Sequence, residues 1–341
     1  MLNGIKLKLD RELAAYASEL DKDYRLRKIS PLLAAKIKEY ILRPGKRIRP
    51  SLFVLGYLAY AKKPAAGLYR GALSIELLHD FMLVHDDIID KSPLRRGKPA
   101  MHTMFERHFS LNQKIKFNGQ DLAIITGDIL YALAMDAFTE VKEEPRRKEK
   151  ALKKLIRAAL YTGCGEFIEL ELGVKDIENI SRSDIYKIYD FKTAFYTFAY
   201  PLSIGATLAG AGDKEAGKIF EYGVHLGRAF QIKDDILGMF ADEQEIGKSV
   251  LSDLQEAKKT LLIREACRRS SKAGRAKIKQ ILNKDKVGLS DLKKMRSLVT
   301  GSGSLDYARK EILRMAEKAN GLAQALNISP KYKTILRTVS S

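Results

Sequence analysis

Apolar residues recur at three- and four-residue spacing along most of this 341-residue chain, and alternating β-branched runs are few. The longest such stretches read GALSIELLHDFMLVHDDIID, DLAIITGDILYALAMDAF and KEAGKIFEYGVHLGRAFQIKDDIL. This spacing places apolar side chains on one face of an α-helix. Ser30 followed by Pro31 is typical of a helix N-terminus, since serine caps free N–H groups and proline fits the first helical position. The sequence therefore predicts an all-α protein.

Chain length and composition favour a single domain. Hydrophobic residues make up 45% of the chain, which is enough to bury a sizeable core. Turn-forming residues predict loops at 44–50, 92–99, 143–147, 242–253 and 301–304. Because none of these loops is long or polar enough to separate domains, we expect residues 1–341 to form one domain.

Cysteine content and the apolar segments indicate a cytoplasmic protein. Cys164 and Cys267 are the only cysteines, which excludes a disulfide-built secreted scaffold. The N-terminal sequence MLNGIKLKLDRELAAY has no apolar core of signal-peptide length. Residues 193–212 lack charge over 20 positions, enough to cross a bilayer, but they include Pro201 and three glycines, and no second span accompanies them. We expect two buried helical segments broken near Pro201, and no membrane span.

The chain is basic, with 61 Lys and Arg against 42 Asp and Glu, a formal charge of +19. Residues 241–341 contribute 22 of the basic and 11 of the acidic residues, hence +11 of that excess. Such a surface can attract nucleic acid, anionic lipid or phosphorylated substrates. The charges are spread along amphipathic helices and no nucleic-acid-binding motif is present, so we expect a solvated face and no nucleic-acid partner.

Two of the long apolar runs end in aspartates. In the first, Asp86 and Asp90 lie one helical turn apart with Asp87 beside them, and apolar residues 81–84 come directly before. Carboxylates this close repel one another unless a cation lies between them, and their oxygens suit Mg²⁺. A solvated helix end is the alternative, but the preceding apolar residues favour the metal site.

A second run ends in the same way, at Asp234 and Asp235. One Asp-Asp pair alone is a weak indication. Two such helices facing each other could bind several Mg²⁺ ions, whose coordination a phosphate-bearing ligand would complete, because Mg²⁺ takes few protein ligands. Basic segments suited to such an anion are PGKRIRP at 44–50, RRG at 95–97, Lys192, Lys248 and Lys258-Lys259.

These motifs together resemble the trans-type isoprenyl diphosphate synthases, and most closely the archaeal short-chain branch. The resemblance runs from about residue 44 to 260 and follows, in order, GKRIRP, LLHDFMLVHDDIIDKSPLRRGKPAMH, TGD, KTAFYTF, FQIKDDILG and GKSVLSDLQEAKKT. It implies a helical bundle around a deep central cavity, with the two aspartate clusters facing each other across its mouth, and a homodimer. Isopentenyl diphosphate and allylic diphosphates are the implied partners, and product release could involve peripheral contact with a membrane.

The resemblance also implies the roles of individual residues. Asp86, Asp90 and Asp234 would bind the Mg²⁺ ions, three of them with the allylic diphosphate, with Asp87 in support and Asp235 adjacent to Asp234. The residues expected to contact the allylic diphosphate are Arg95, Lys192, Lys248 and Lys258. Those expected to bind isopentenyl diphosphate are Lys46, Arg49, His79 and Arg96. Those expected to line the reacting centre are Thr193, Phe230 and Gln231.

The sequence departs from the family pattern in two segments. Gly238 stands where the fuller second motif, DDxxD, has its third aspartate, a form that the archaeal branch tolerates. Glu166 and Glu169 stand where the family usually has glutamine and aspartate. Neither glutamate has an assigned role at this stage, and no third-aspartate metal ligand is assigned.

The implied reaction is head-to-tail condensation to a short all-trans prenyl diphosphate, and no protein nucleophile is needed. Geranylgeranyl diphosphate is the expected product, with farnesyl or a longer diphosphate as the alternative. Phe81 and Met82, five and four residues before Asp86, are the expected chain-length residues, since a lone aromatic side chain there resembles the twenty-carbon pattern. Three other classes remain open: a class I terpene cyclase, a non-catalytic partner subunit and a basic nucleic-acid-binding protein.

Overall fold

The computed structural model describes residues 1–110, 116–241 and 249–340. It is 79% helical and 1% strand, which confirms the all-α prediction. The predicted helix N-terminus is confirmed as well. The Ser30 hydroxyl oxygen accepts a hydrogen bond from the N–H of Leu33 at 3.2 Å, and Pro31 is the first helical residue.

Helices make up most of the described chain. In chain order the α-helices are α1 (Leu2–Asp23), α2 (Leu26–Ile29), α3 (Pro31–Ile41), α4 (Ile48–Tyr60), α5 (Leu68–Ile89), α6 (Met101–Phe109), α7 (Gly119–Thr139), α8 (Pro145–Gly173), α9 (Arg182–Ile188), α10 (Tyr200–Leu208), α11 (Asp213–Phe240), α12 (Ser252–Gln255), α13 (Leu261–Arg269), α14 (Lys272–Leu282), α15 (Leu289–Gly301), α16 (Ser304–Ala325) and α17 (Pro330–Ser340). A 3-10 helix (Ile177–Asn179) precedes α9, and a π-helix (Tyr189–Ala199) follows it.

The chain divides into two compact units. The first consists of Met1–Leu155 with Pro201–Gly212, and the second of Ile156–Tyr200 with Asp213–Ser341. Each unit contains one of the two aspartate clusters. The single-domain organisation expected from the sequence stays a prediction.

Helix α5 forms the centre of the first unit. Its residues Leu73, Ile75, Leu77 and Leu78 are almost fully buried although they point in different directions around the helix. Because residues 71–80 of α5 are all buried, a polar side chain in this part of the helix needs a partner inside the protein.

The second unit is organised around α11. Gly223 and Gly227 on this helix face Ala199 and Ala194 of the π-helix so closely that an added Cβ atom would overlap them. The two helices therefore approach at backbone distance, which sets the start of the π-helix beside the last turns of α11. π-Helical segments are frequent at functional sites, where the extra residue per turn redirects side chains.

A short hairpin is the one strand feature of the described chain. β1 (Leu94–Arg95) pairs antiparallel with β2 (Lys98–Pro99). The two turn residues between them, Arg96 and Gly97, have φ values of +54° and +72°, as a type I′ hairpin turn requires. The segment predicted as a loop at 92–99 thus holds its two arginines on an ordered hairpin.

The uncharged segment 193–212 is helical and mostly buried. The π-helix ends at Ala199 and α10 begins at Tyr200, so the helix type changes one residue before Pro201. Among the described helices, one is long and apolar enough to cross a membrane. It is α7, and 44% of its most apolar 18-residue window is buried inside the structure.

Candidate active site

The first aspartate cluster lies at the C-terminal end of α5. There the helix carbonyls already concentrate partial negative charge, which disfavours carboxylates. A carboxylate oxygen of Asp86 and one of Asp90 lie within 4.8 Å of each other. Two carboxylates one turn apart in this position suit a hard divalent cation. The donor atoms therefore fit the metal-binding role predicted for this pair.

Arg95, on β1, supplies positive charge to the same cluster. Its Nε donates a hydrogen bond to Oδ1 of Asp87 at 2.7 Å, and its Nη2 donates one to Oδ2 of Asp86 at 2.8 Å. The Asp87 side chain is fully buried, and this burial raises the pKa of Asp87 to about 6, although Arg95 acts in the opposite direction. Asp87 thus holds the guanidinium of Arg95 beside Asp86, and the role predicted for Asp87 in metal binding stays a prediction.

A second charged group of the first unit surrounds His79, seven residues before Asp86 on α5. Nη2 of Arg96 lies 3.4 Å from Nε2 of His79, and Nη1 of Arg96 donates to the carbonyl oxygen of Pro44 at 3.4 Å. Burial, followed by the charges of Arg49 and Arg96, lowers the pKa of His79 well below its ordinary value. His79 is therefore neutral and can accept a hydrogen bond from Arg96.

The segment 44–50 contributes to this second group in two ways. Lys46 is exposed and Arg49 is half-buried, as residues that bind an anion from solvent need to be. Arg47 instead is buried, and the sequence analysis missed its role. Its guanidinium donates to Glu76 Oε1 at 2.6 Å and to Asp10 Oδ1 at 2.9 Å, which holds Arg47 at a φ of +51°.

Glycine is required where α4 meets residues 201–208 of α10. A Cβ atom at Gly56 would overlap the carbonyl of Leu202, and one at Gly205 would overlap the carbonyl of Phe53. This close contact fixes the helix that begins directly after the segment 44–47.

The second aspartate cluster lies on the last turns of α11, in the second unit. The carboxylate of Asp235 accepts hydrogen bonds from the Tyr189 hydroxyl and, at 2.9 Å, from Nε2 of Gln231. Oε1 of Gln231 accepts a further bond from the Thr193 hydroxyl at 2.7 Å. Thr193 and Gln231, predicted to line one centre, are thus in direct contact. Burial raises the pKa of Asp235 to about 7, and the charges of Asp253 and Asp234 add to this effect.

Lys192 of the π-helix is bound by two glutamates of α8. Its Nζ lies 2.7 Å from Oε2 of Glu166 and forms a second ion pair with Glu169. A Cβ atom at Gly165 would overlap the backbone of Lys192, so the two helices touch at this point. The two residues that depart from the family pattern therefore neutralise a lysine predicted to bind the allylic diphosphate.

Asp253 occupies the space next to Gly238. A Cβ atom at position 238 would overlap Oδ2 of Asp253. Lys258, predicted to contact the allylic diphosphate, lies 3.4 Å from Oδ1 of Asp253 and 2.9 Å from Oε2 of Glu256. Burial alone would lower the pKa of Lys258, but these carboxylates hold it well above its ordinary value. Asp253 thus brings a carboxylate to the turn where the third aspartate of the motif is missing.

The remaining predicted residues are mainly apolar. The ring of Phe230 packs on Phe198 with centroids 5.2 Å apart. Phe81 and Met82 are half-buried on α5, and the Phe81 ring lies 5.4 Å from that of Tyr131 on α7. Lys248 lies outside the described residues.

Comparison with known proteins identifies the family. The sequence model described as polyprenyl synthetase matches residues 30–299, most of both units. The chain belongs to the polyprenyl synthetase family.

Individual members of this family are similar over nearly the whole chain. A geranylgeranyl diphosphate synthase of Methanosarcina mazei is 30% identical over 87% of this chain and 84% of its own length. A geranylfarnesyl diphosphate synthase of Aeropyrum pernix is 33% identical over 82% of each chain. The crystal structure of geranylgeranyl pyrophosphate synthase from Corynebacterium glutamicum, complexed with isoprenyl diphosphate and magnesium, has a TM-score of 0.90 at 24% identity and covers 100% of this chain and 98% of its own. That likeness shows the all-α isoprenyl synthase fold.

Proposed function

We propose that this polyprenyl synthetase family member condenses isopentenyl diphosphate with allylic diphosphates, head to tail, to make a short all-trans prenyl diphosphate. The observation that carries the proposal is the pair of separate charged groups along α5. The aspartates at its end suit a diphosphate bound through metal ions, whereas His79 and Arg96 suit a second diphosphate bound directly. A reaction between two diphosphates needs both groups.

The donor set of the first group supports a divalent metal requirement. Asp86 and Asp90 would hold Mg²⁺ in the first unit, and Asp234 would hold it in the second, with three ions in all. The bound metal would neutralise negative charge on the departing diphosphate and so favour cleavage of the allylic C–O bond. Mg²⁺ is the proposed ion because carboxylate oxygens and phosphates are its preferred ligands.

Two sets of side chains would bind the two diphosphates. Arg95, Lys192, Lys248 and Lys258 stabilise the charge that develops on the departing allylic diphosphate. Lys46, Arg49, His79 and Arg96 hold isopentenyl diphosphate so that its double bond attacks the allylic cation. The new carbon–carbon bond leaves a cation that loses a proton to the released diphosphate, which restores a double bond.

One assay separates this proposal from its alternatives. Purified protein is mixed with Mg²⁺, labelled isopentenyl diphosphate and one of three primers: dimethylallyl, geranyl or farnesyl diphosphate. A prenyl diphosphate synthase incorporates the label into a longer diphosphate. A terpene cyclase converts the primer to an unlabelled hydrocarbon or alcohol, and a non-catalytic subunit leaves both substrates unchanged. Either of these two results would contradict the proposal.

The proposed main product is geranylgeranyl diphosphate, with farnesyl diphosphate or a longer chain as the alternative. Helical side chains tilt toward the N-terminus, so Met82, four residues before Asp86, lies on the face of α5 beneath that aspartate, and Phe81 lies beside it. A chain that grows along this face would meet the Phe81 ring.

Substitution of that ring tests the product length. Phe81→Ala removes the aromatic obstacle, so the main product should gain at least one five-carbon unit. Phe138→Leu, on α7 of the same unit, serves as the control for loss of a buried aromatic ring. Chromatography of the dephosphorylated products gives their chain lengths. An unchanged length distribution in Phe81→Ala would mean that a different residue limits the product length.

We also propose a single-domain homodimer. The family match spans both units, and α8, together with the residue that follows it, carries a strongly exposed apolar stripe at spacings of seven, three and four residues. Its members and their exposed fractions are Leu160 59%, Phe167 70%, Leu170 53% and Val174 88%. Such a stripe on one helix face is typical of a surface that another chain covers. Light scattering of the wild type and of Phe167→Lys tests it, since the charged variant should be monomeric.

The proposal includes a cytoplasmic location and no nucleic-acid partner. Release of the apolar product to a membrane surface would use the excess of basic residues beyond position 240. Flotation with anionic and with neutral vesicles tests this part, because electrostatic contact should be seen only with the anionic ones.

A further inference from the structure

The hydroxyl of Tyr189 connects three elements of the second unit. Tyr189 is 4% exposed and is the first residue of the π-helix. Its hydroxyl oxygen accepts a hydrogen bond from the backbone N–H of Leu261, the first residue of α13, at 2.8 Å. Because a phenol has one proton, that proton is left to be donated to Oδ2 of Asp235 on α11.

This bond fixes the direction of the next two side chains. The second oxygen of Asp235 accepts from Nε2 of Gln231 at 2.9 Å, so the amide NH₂ group faces the carboxylate. The amide oxygen is then turned to Thr193, whose hydroxyl donates to it at 2.7 Å. With its only proton engaged, the Thr193 oxygen has nothing but lone pairs to offer to any other group.

We propose that Tyr189 is a positioning residue of the active site: acting through Asp235 and Gln231, it orients the Thr193 hydroxyl so that lone pairs face the reacting carbon. This inference rests on the function proposed above. An allylic cation is stabilised by a nearby oxygen lone pair and destabilised by an O–H dipole of the opposite sense. The direction of one hydroxyl therefore affects the chemical step and leaves substrate binding largely unaffected.

Burial makes the arrangement sensitive to loss of a single oxygen atom. Without the Tyr189 hydroxyl, both the Leu261 N–H and one oxygen of Asp235 would lose their partner inside the protein. Asp235 could then turn away from Gln231, and the amide could reverse. The first turn of α13, three residues after Lys258, would be held less firmly as well.

The test compares two tyrosines on neighbouring turns. Tyr189→Phe should lower kcat about tenfold and change the KM of each substrate less than about twofold. Tyr186→Phe is the matched control, because its hydroxyl donates to Glu311 and takes no part in the chain of hydrogen bonds. Circular dichroism and thermal unfolding show that each variant is folded. Calorimetric binding of inorganic diphosphate with Mg²⁺, which does not depend on Thr193, should be unchanged in both.

A double-mutant cycle tests whether Tyr189 acts through Asp235. Asp235→Asn should lower kcat on its own, and adding Tyr189→Phe to it should cause less than about a twofold further loss. If Tyr189→Phe fails to fold, Asp235→Asn and Gln231→Leu should still lower kcat with little change in KM.

Several results would overturn the inference while leaving the proposed function intact: an active wild type with equal losses in the two tyrosine variants, losses that multiply in the cycle, a loss confined to KM, or weaker diphosphate binding in Tyr189→Phe alone. If Asp235→Asn and Gln231→Leu leave kcat unchanged, the inference fails in the same way. A wild-type protein that makes no prenyl diphosphate would overturn both proposals.

Discussion

The two aspartate clusters occupy equivalent places, each at the end of a long buried helix, but they differ in how their charge is offset. At the end of α5, Arg95 binds Asp86 and Asp87 directly. At the end of α11, the carboxylate of Asp235 accepts hydrogen bonds from two neutral side chains, those of Tyr189 and Gln231. The two described lysines predicted to bind the allylic diphosphate are bound by other carboxylates, Lys192 by two glutamates and Lys258 by Glu256 and Asp253.

This difference indicates how each cluster depends on its ligands. In the first cluster, burial raises the pKa of Asp87 to about 6, and the positive charge of Arg95 limits this rise. Among the described residues, the side chains that contact Asp235 are neutral, and burial raises the pKa of Asp235 to about 7. A metal ion bound beside Asp234, as proposed above, would therefore have the larger electrostatic effect in the second unit.

The largest expected effect comes from removing one carboxylate of either cluster. Asp86→Ala and Asp234→Ala should each lower turnover at least about 10³-fold, equivalent to about 4 kcal/mol, because charge on the departing diphosphate loses its metal. Steady-state assays over a Mg²⁺ series provide the measurement. Asp306→Ala, an exposed site on α16, is the control and should behave as the wild type. Near-normal turnover of either active-site variant would remove that cluster from the mechanism.

Arg49→Ala tests whether the charged group around His79 binds a different substrate from the aspartates at the end of the same helix. The KM for isopentenyl diphosphate should rise about 10- to 100-fold, since one diphosphate contact is lost, while the KM for the allylic primer changes little. Arg27→Ala, an exposed arginine of the same unit, serves as the control. Equal increases for the two substrates would mean that the basic residues of the first unit are not divided between two diphosphates.

Glu166→Gln tests whether the ion pairs of Lys192 weaken its binding of the diphosphate, because the substitution leaves Lys192 with one glutamate instead of two. Freed of one ion pair, Lys192 should bind the allylic diphosphate better, with a KM about threefold lower. Glu149→Gln on the same helix removes a similar but exposed ion pair, with Lys153, and should have no effect. A higher KM in Glu166→Gln would show instead that Glu166 contributes to binding, as a metal ligand would.

The last prediction concerns stability and not activity, and it separates the acidic end of α11 from the middle of the helix, where His225 lies. Burial, aided by the charge of Arg228, lowers the pKa of His225 to about 4. Its ordinary value is about 6.5, so between these two pH values the unfolded chain binds a proton that the folded chain does not. The free energy of unfolding should therefore fall as the pH is lowered from 6.5 to 4, by at most about 1.4 kcal/mol per pH unit for this group.

Urea unfolding of the wild type and of His225→Asn over this pH range measures the effect. The variant should show a shallower dependence on pH. Identical slopes would mean that the imidazole is as easily protonated in the folded protein as in the unfolded chain.

Features set by neighbouring residues were predictable from the sequence. Apolar spacing predicted the helices, Ser30-Pro31 predicted a helix start, and the position of Asp86 after apolar residues 81–84 placed the first cluster at a helix end. All three depend on contacts within one or two turns, which a linear pattern contains.

What the sequence did not predict depends on distant partners or on backbone geometry. Arg47 stands in a basic run and was not distinguished from a phosphate ligand, because the carboxylates that bury it, Asp10 and Glu76, lie 37 and 29 residues away. The π-helix keeps the apolar spacing of an α-helix, so periodicity does not reveal it. The hairpin at 94–99 has strands of two residues, too short to show alternation, and Arg96 is not a residue expected at positive φ.

The contact between Gly238 and Asp253 has a consequence for how this sequence can change. Restoring the third aspartate of the motif with Gly238→Asp looks like a return to the family pattern, yet the new side chain would overlap the carboxylate of Asp253. Because Oδ2 is the free end of the Asp253 side chain, that carboxylate would have to rotate away from position 238, which also changes its contact with Lys258. The effect of a substitution at position 238 therefore depends on the residue at position 253, and Gly238→Asp would exchange the place of one carboxylate for that of another.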